Sequence, residues 1–381
     1  MNNNEIKFPF YAKLFFVLAS LSIIAFFIYI AHSIVVPILL SMLFAVLLRP
    51  VVRFCRNKLH FPHVLAALSS VLLFMLCVGG IVFFVSWKIG DIADDWDKIK
   101  ANLEIHFNSL QRWIEESFHI TSDEQRHYIE QAEKNSFSKG TAMMGSTISS
   151  FTDFLMSFVL IPIYTFLLLL YRNLFLQFLT KLFKDRQAQL QEILVEIKGA
   201  VLSYLLGLMI EMAIVSTLTS IGLSIVGVNY ALLLGVITGV LNLVPYIGIL
   251  TAAVLSIVAT LTTSADLSII FGVIIVNVIV QLLDNNILVP MIVSSKVRIN
   301  ALVSIVAIVI GGVLGGVAGM FLAIPLTAII KVIFDRVEGL EPWGYLMSDD
   351  LPKTFSFKNV SLPSFDAGDE MPKTEEENKN S

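Results

Sequence analysis

Charge is scarce in this sequence. Only 15% of its 381 residues are Asp, Glu, Lys or Arg, against roughly 25% in a water-soluble domain. What charge there is lies in short stretches between long uncharged runs, which excludes an ordinary soluble globule and points to an integral membrane protein. Cysteine is scarcer still: Cys55 and Cys77 sit in or beside apolar runs, so a disulfide framework is not expected. The formal net charge of −4 supplies no basic excess, and nucleic acid is not an expected partner. The six histidines are scattered, without metal-ligand spacing or a His-Glu-x-x-His pair. No Gly-x-Ser-x-Gly occurs, and no run of glycines ends in Gly-Lys-Ser/Thr, so a phosphate loop is absent. Neither an enzyme nor a cofactor is expected.

The apolar runs are abundant. Residues 14–31 form a first span, about 27 Å long as a helix, with no small-residue cleavage site and another run close behind, so it reads as uncleaved. A second run, 34–48, contains Pro37 and is expected to stop at Arg49-Pro50; a basic loop and a third span over 61–87 follow. Residues 88–145 are polar, with Trp96, Ile99, Leu103, Phe107, Leu110 and Ile114 at helical spacing, an amphipathic helix at a membrane surface or against a partner. A fourth span covers 147–171. Residues 172–198 are basic and amphipathic, and Lys181, Lys184 and Arg186 suit contact with anionic lipid. A fifth span, 200–226, carries Glu211.

Two later regions are interrupted. Residues 230–263 break at 242–248, leaving arms of about 18–22 Å, too short for a comfortable crossing, so a re-entrant hairpin with its tip at Pro245 is expected. A sixth span, 267–289, ends in a polar cluster. Residues 300–333 break at Gly311, Gly312, Gly315 and Gly316, and read as a second hairpin. The fold expected is thus an all-α polytopic membrane protein with about six transmembrane helices, two broken hairpins and an amphipathic extracytoplasmic insertion. Its parts are 1–87, N-terminal spans; 88–146, the insertion; 147–199, the fourth span and a cytoplasmic amphipathic helix; 200–334, a transport core; and 335–381, an acidic cytoplasmic tail of disordered composition.

The polar residues at membrane depth mark the candidate site. Asn277, Gln281, Asp284 and Asn285 fall at i, i+4, i+7 and i+8, one helical face. Amides in a span commonly serve as interhelical hydrogen-bond glue, which suffices for Asn277 alone. An isolated intramembrane carboxylate is a functional candidate by default, so Asp284 leads and Glu211 is second. Asp153 stands near a span edge, where it can snorkel. Asn242, Pro245, Tyr246 and Gly248 occupy the first break: Pro245 removes a donor and Gly248 permits φ > 0, and freed backbone groups can face a cavity. The Gly311–Gly315–Gly319 spacing also suits close helix packing.

Three motifs, Gly239-Val-Leu-Asn-Leu-Val-Pro-Tyr-Ile-Gly248, Gln281-Leu-Leu-Asp-Asn-Asn-Ile-Leu-Val-Pro290 and Gly311-Gly-Val-Leu-Gly-Gly-Val-Ala-Gly-Met-Phe-Leu-Ala-Ile-Pro325, together resemble the autoinducer-2 exporter family of bacterial permeases. The resemblance spans nearly the whole chain. It implies export of a small polar signalling molecule in some members, sodium–proton antiport in others, and a homo-oligomer, a pentamer among the forms. The expected function is a bacterial inner-membrane secondary transporter for a small polar, autoinducer-2-like solute, coupled to an ion or proton gradient. Its rivals are a sodium(lithium)/proton antiporter whose carrier is Asp284 or Glu211, and a non-transporting membrane scaffold.

Basic residues orient the chain. With both termini cytoplasmic, the insertion is the one long segment outside, and it holds the seven of the 26 Lys and Arg residues that are not cytoplasmic, a bias of the expected sign. A cysteine at Ile120, in a chain freed of Cys55 and Cys77, should therefore react with an impermeant maleimide in intact cells. Labelling only after the inner membrane is opened would reverse the topology.

Overall fold

The structure is a computed structural model, and it describes residues 9–94, 101–102, 105, 159–243, 247–260, 267–294 and 299–349. Among these residues every regular element is helical. In order they are α1 (Phe10–Ile30), α2 (His32–Lys58), α3 (His63–Asp94), α4 (Val159–Leu170), α5 (Arg172–Leu182), a short 3₁₀ turn, α6 (Gln187–Val226), α7 (Ala231–Leu241), α8 (Ile247–Thr260), α9 (Leu267–Leu283), a π-helical stretch (Asp284–Ser294), α10 (Ala301–Arg336) and α11 (Glu341–Met347). Residues from Asp349 on form a separate unit. Nearly all of the 88–145 insertion, Asp153, Pro245 and Tyr246 lie outside the described residues.

Five described helices are long and apolar enough to cross a membrane, or six if the pair α4–α5, bent by 62° at Tyr171, counts as one span. The polytopic all-α architecture is therefore the one the apolar runs imply. Exposed apolar side chains such as Phe15, Phe27, Leu76 and Phe83 face outward, as in a bundle surrounded by lipid.

Three buried clusters hold the bundle together. Leu43 and Leu47 of α2 pack with Val201, Tyr204, Leu205 and Leu208 of α6 and Leu322 of α10. Leu48, Val52 and Cys55 of α2 pack with Ala66, Ala67 and Val71 of α3 and Leu169 of α4. Leu223 of α6, Ala231 and Leu234 of α7, Ala259 of α8 and Val273 of α9 form the third. Because Ala259, near the end of α8, meets Ala231, at the start of α7, the two arms run back alongside each other as a hairpin. At its tip Gly248 is buried, and a Cβ there would overlap the carbonyl of Leu241 and stand 2.9 Å from the amide of Asn242.

The second break is also a reversal. In a straight helix Gly311 and Gly319 would stand about 12 Å apart, yet each approaches the other so closely that a Cβ on either would overlap its partner's carbonyl. The turn is made by Gly315 (φ −145°, ψ 18°) and Gly316 (φ 59°, ψ −145°), the latter in a region open to glycine. The glycine spacing thus serves a close crossing of the hairpin's own two arms.

Four boundaries differ from the sequence reading. Helix α2 runs through Arg49-Pro50: proline forfeits one backbone bond, but Val52 and Cys55 beyond it stay packed on α3. The boundary expected near 199 does not exist, since α6 is continuous over 40 residues, about 60 Å and twice a bilayer core. The sixth span changes from α to π at Asp284 and continues through Pro290. Structure also persists past residue 335, where α11 lies against α10: Gly344 sits where a Cβ would meet Asp335, and Asn300 donates to the Leu346 carbonyl at 2.7 Å.

A seam of small residues sets α7 on α6. Gly235 and Gly239 face Ser220 and Ser216, and a Cβ at either glycine would stand 2.6 Å from a carbonyl oxygen, of Ser216 and Met212 respectively. Without a strong hydrophobic drive inside lipid, such close approach is what holds helices together. Gly239→Val should accordingly lower the thermal unfolding midpoint of the purified protein and displace Asn242. Gly199→Ala, at a helical site with nothing within 4 Å, should instead stabilise by up to about 1 kcal/mol. Equal behaviour of the two variants would remove the seam from the account.

Candidate functional site

The seam places Asn242, the residue that ends α7, directly over α6. Its amide nitrogen donates to Glu211 Oε1 of α6 and to Asp284 Oδ2 at the head of the π stretch, both at 3.1 Å. One neutral side chain therefore bridges two carboxylates from two further elements. Both acids are buried, Glu211 to 5% and Asp284 to 3% exposure. Their second oxygens, Glu211 Oε2 and Asp284 Oδ1, have no hydrogen-bond partner among the described residues, and no described Lys, Arg or His pairs with either. A buried polar atom without a partner normally signals a missing occupant or a functional role.

Beside the pair lies a cavity of about 20 Å³, lined by Val215, Thr238, Asn242, Asn277, Val280, Gln281 and Asp284. A water-sized particle needs roughly 10–15 Å³ measured this way, so the chamber takes one water or one small ion. Asn277 donates to the Val273 carbonyl at 2.9 Å and Thr238 to that of Leu234 at 2.7 Å.

The sequence face Asn277–Gln281–Asp284–Asn285 is only partly realised. The first three line the cavity, whereas Asn285 is exposed and accepts from Gln281 at 3.0 Å. The cause is the change to a wider π turn at Asp284, which breaks the 3.6-residue period that put Asn285 on that face. Asn286 is exposed too and bonds the Leu282 carbonyl. Gly248 belongs to the hairpin crossing. Gly311, Gly312, Gly315 and Gly316 are not part of this chamber: Gly312 lies against Met320, and a Cβ on Gly315 would stand 2.8 Å from Val36 of α2. Thr238, Val215 and the glycines of the seam were missed. Their signal was present, since Gly235 and Gly239 are four apart and so are Ser216 and Ser220, but only the contact between the two pairs gives it meaning.

The comparison with known proteins follows this geometry. YueF of Bacillus subtilis (strain 168) is 27% identical over 320 residues, covering 78% of this chain and 82% of its own. YrrI of the same organism is 25% identical over 313 residues, 80% and 86% of the two chains. The AI-2 transport protein TqsA of Escherichia coli (strain K12) is 23% identical over 344 residues, 88% of this chain and 96% of its own. The profile of AI-2E family transporters matches residues 18–339, which takes in the latter part of α1, every element from α2 to α10 and all three site residues. The chain belongs to the AI-2E family of membrane transporters.

Proposed function

We propose that this transporter is driven by a cation gradient, and that Glu211 and Asp284 bind the coupling ion, a proton or Na⁺, with Asn242 holding the two carboxylates around it. The observation that carries the reading is the bridge itself: two buried acids on one amide nitrogen, each with an oxygen left over. Two carboxylates so close in a low-dielectric interior cannot both keep an uncompensated charge, and a shared proton or a bound cation removes the conflict. Asn242 suits both loads. Its NH₂ group donates to a proton-sharing pair, and a half-turn of the amide presents its oxygen to a metal cation.

The cargo is a separate matter. A chamber of about 20 Å³ excludes a multi-carbon solute in this conformation, so solute binding requires the first hairpin to move against α6 and α9, the kind of motion by which broken helices alternate access. Export of a small polar, autoinducer-2-like solute is the first reading, supported by likeness to TqsA over 88% of the chain. Sodium(lithium)/proton antiport is the second, favoured by the size of the chamber, which admits an ion alone. A static scaffold would gain nothing from two buried acids, whose burial is costly. The setting of the proposal is a bacterial inner membrane, both termini cytoplasmic, in a homo-oligomer for which a pentamer is one form.

Reconstituted liposomes test this. With an imposed pH gradient, wild-type protein should acidify or alkalinise the lumen on addition of Na⁺, Li⁺ or solute. Asp284→Asn and Glu211→Gln should each bring that response to the level of empty liposomes while purifying as folded protein. Undiminished coupling in both variants would confine the acids to packing. A pH response to Na⁺ or Li⁺ without solute separates antiport from solute-linked export.

A further inference from the structure

Four cations, from α2, α5 and α6, lie near the bend between α4 and α5. Packing places them there. Leu48 and Val52 of α2 share a buried cluster with Leu169 of α4, so Arg49 and Arg53, each one residue further on, stand beside the bend that leads into Arg172, the first residue of α5. Leu43 and Leu47 share another cluster with Val201, against which Ile197 packs, and this brings Lys198 to the same end of α2. They are near enough to act on one another: Arg49 feels Arg172 and Arg53, and Lys198 feels all three.

Among the described residues no carboxylate pairs with any of the four. The ion pairs of the described residues lie elsewhere, at Lys88–Asp91, Lys331–Asp335 and Arg336 with Glu192 and Glu196. Arg49, Arg172 and Lys198 are half-buried, where mutual repulsion is less screened than in open solvent. An anion among these members would relieve that repulsion through charge-assisted hydrogen bonds.

Helix α5 adds two features of its own. Its first turn has no side-chain cap, so the positive end of the helix is turned to the same place. Its apolar residues Leu174, Phe175, Phe178 and Leu182 are each more than half exposed, and the 62° bend takes it off the line of α4, the arrangement of a helix lying in a membrane interface. A ligand that satisfies both features carries an anionic group and long apolar chains.

We propose that Arg49, Arg53, Arg172 and Lys198 form a binding site for the phosphate of an anionic phospholipid, whose acyl chains lie against the apolar face of α5. It is distinct from the general attraction of Lys181, Lys184 and Arg186 to a charged surface, because its members come from three helices and act on one another.

The test uses the full-length protein in neutral detergent, titrated with short-chain phosphatidylglycerol, phosphatidylcholine or inorganic phosphate, and read by native mass spectrometry. Wild-type protein should retain phosphatidylglycerol in preference to phosphatidylcholine. Arg49→Gln/Arg172→Gln should weaken that retention on the order of 30-fold, from about 1 kcal/mol per cation, while Lys181→Gln/Lys184→Gln leaves it within about twofold. Equal loss in both double variants would reduce the effect to diffuse attraction and overturn the site. Inorganic phosphate bound as tightly as phosphatidylglycerol would give the site to a free anion and overturn the lipid assignment. Thermal unfolding without anionic lipid supplies the control for folding. Arg49→Gln/Arg172→Gln should unfold at or above the wild-type temperature, since it removes repulsion, and a lower temperature would make the cations structural and refute the proposal.

Discussion

The packing of α6, α7 and the π stretch turns on a single amide. Asn242 is the one described side chain that touches both buried carboxylates, and three separate elements must be in register for it to do so. The cost of burying two acids is large and is offset only by partners. A displacement of α7 by one turn, about 5.4 Å, would leave both acids without the bridge. Asn242 meets this requirement with helical backbone, its own N–H still bonded to the Thr238 carbonyl at 2.9 Å.

The close seam beneath that amide explains why glycine and serine are placed where they are. Gly235 and Gly239 against Ser220 and Ser216 let the α7 backbone lie on α6 with no side chain between, and Asn242 is three residues beyond the second glycine. The site's geometry is therefore a property of backbone approach rather than of loop conformation. The second hairpin uses the same device on itself, Gly311 against Gly319, yet its turn rests on α2 instead of the carboxylates. Two breaks of similar composition thus do different work: one delivers a polar side chain, and the other shortens a helix pair that buries Leu322 in the central cluster.

Much of this was legible in the sequence, because the signals are local. Long uncharged runs announce spans, isolated acids in such runs announce a site, and Pro or paired Gly announce breaks. Glu211 and Asp284 could be named, but as alternatives; that they share Asn242 depends on how α7, α6 and α9 pack, which no single-segment pattern contains. Asn285 went astray because a constant helical period was extended through a stretch that widens at Asp284. Arg49-Pro50 looked like a stop because charge and proline coincide there, while the packing of Val52 and Cys55 that carries α2 onward is tertiary. The continuity of α6 was hidden by a change in composition, from amphipathic to apolar, that the helix itself ignores.

The small size of the chamber beside Asp284 also bears on how protons could pass it. Protons cross membranes readily along a continuous file of hydrogen-bonded waters, and a space that takes a single water-sized particle offers no room for such a file. In this conformation the chamber holds at most one link of such a file. Under the coupling proposed above, charge would cross one occupant per conformational cycle, so flux would be counted by turnover and saturate, as in a turnstile rather than a pipe.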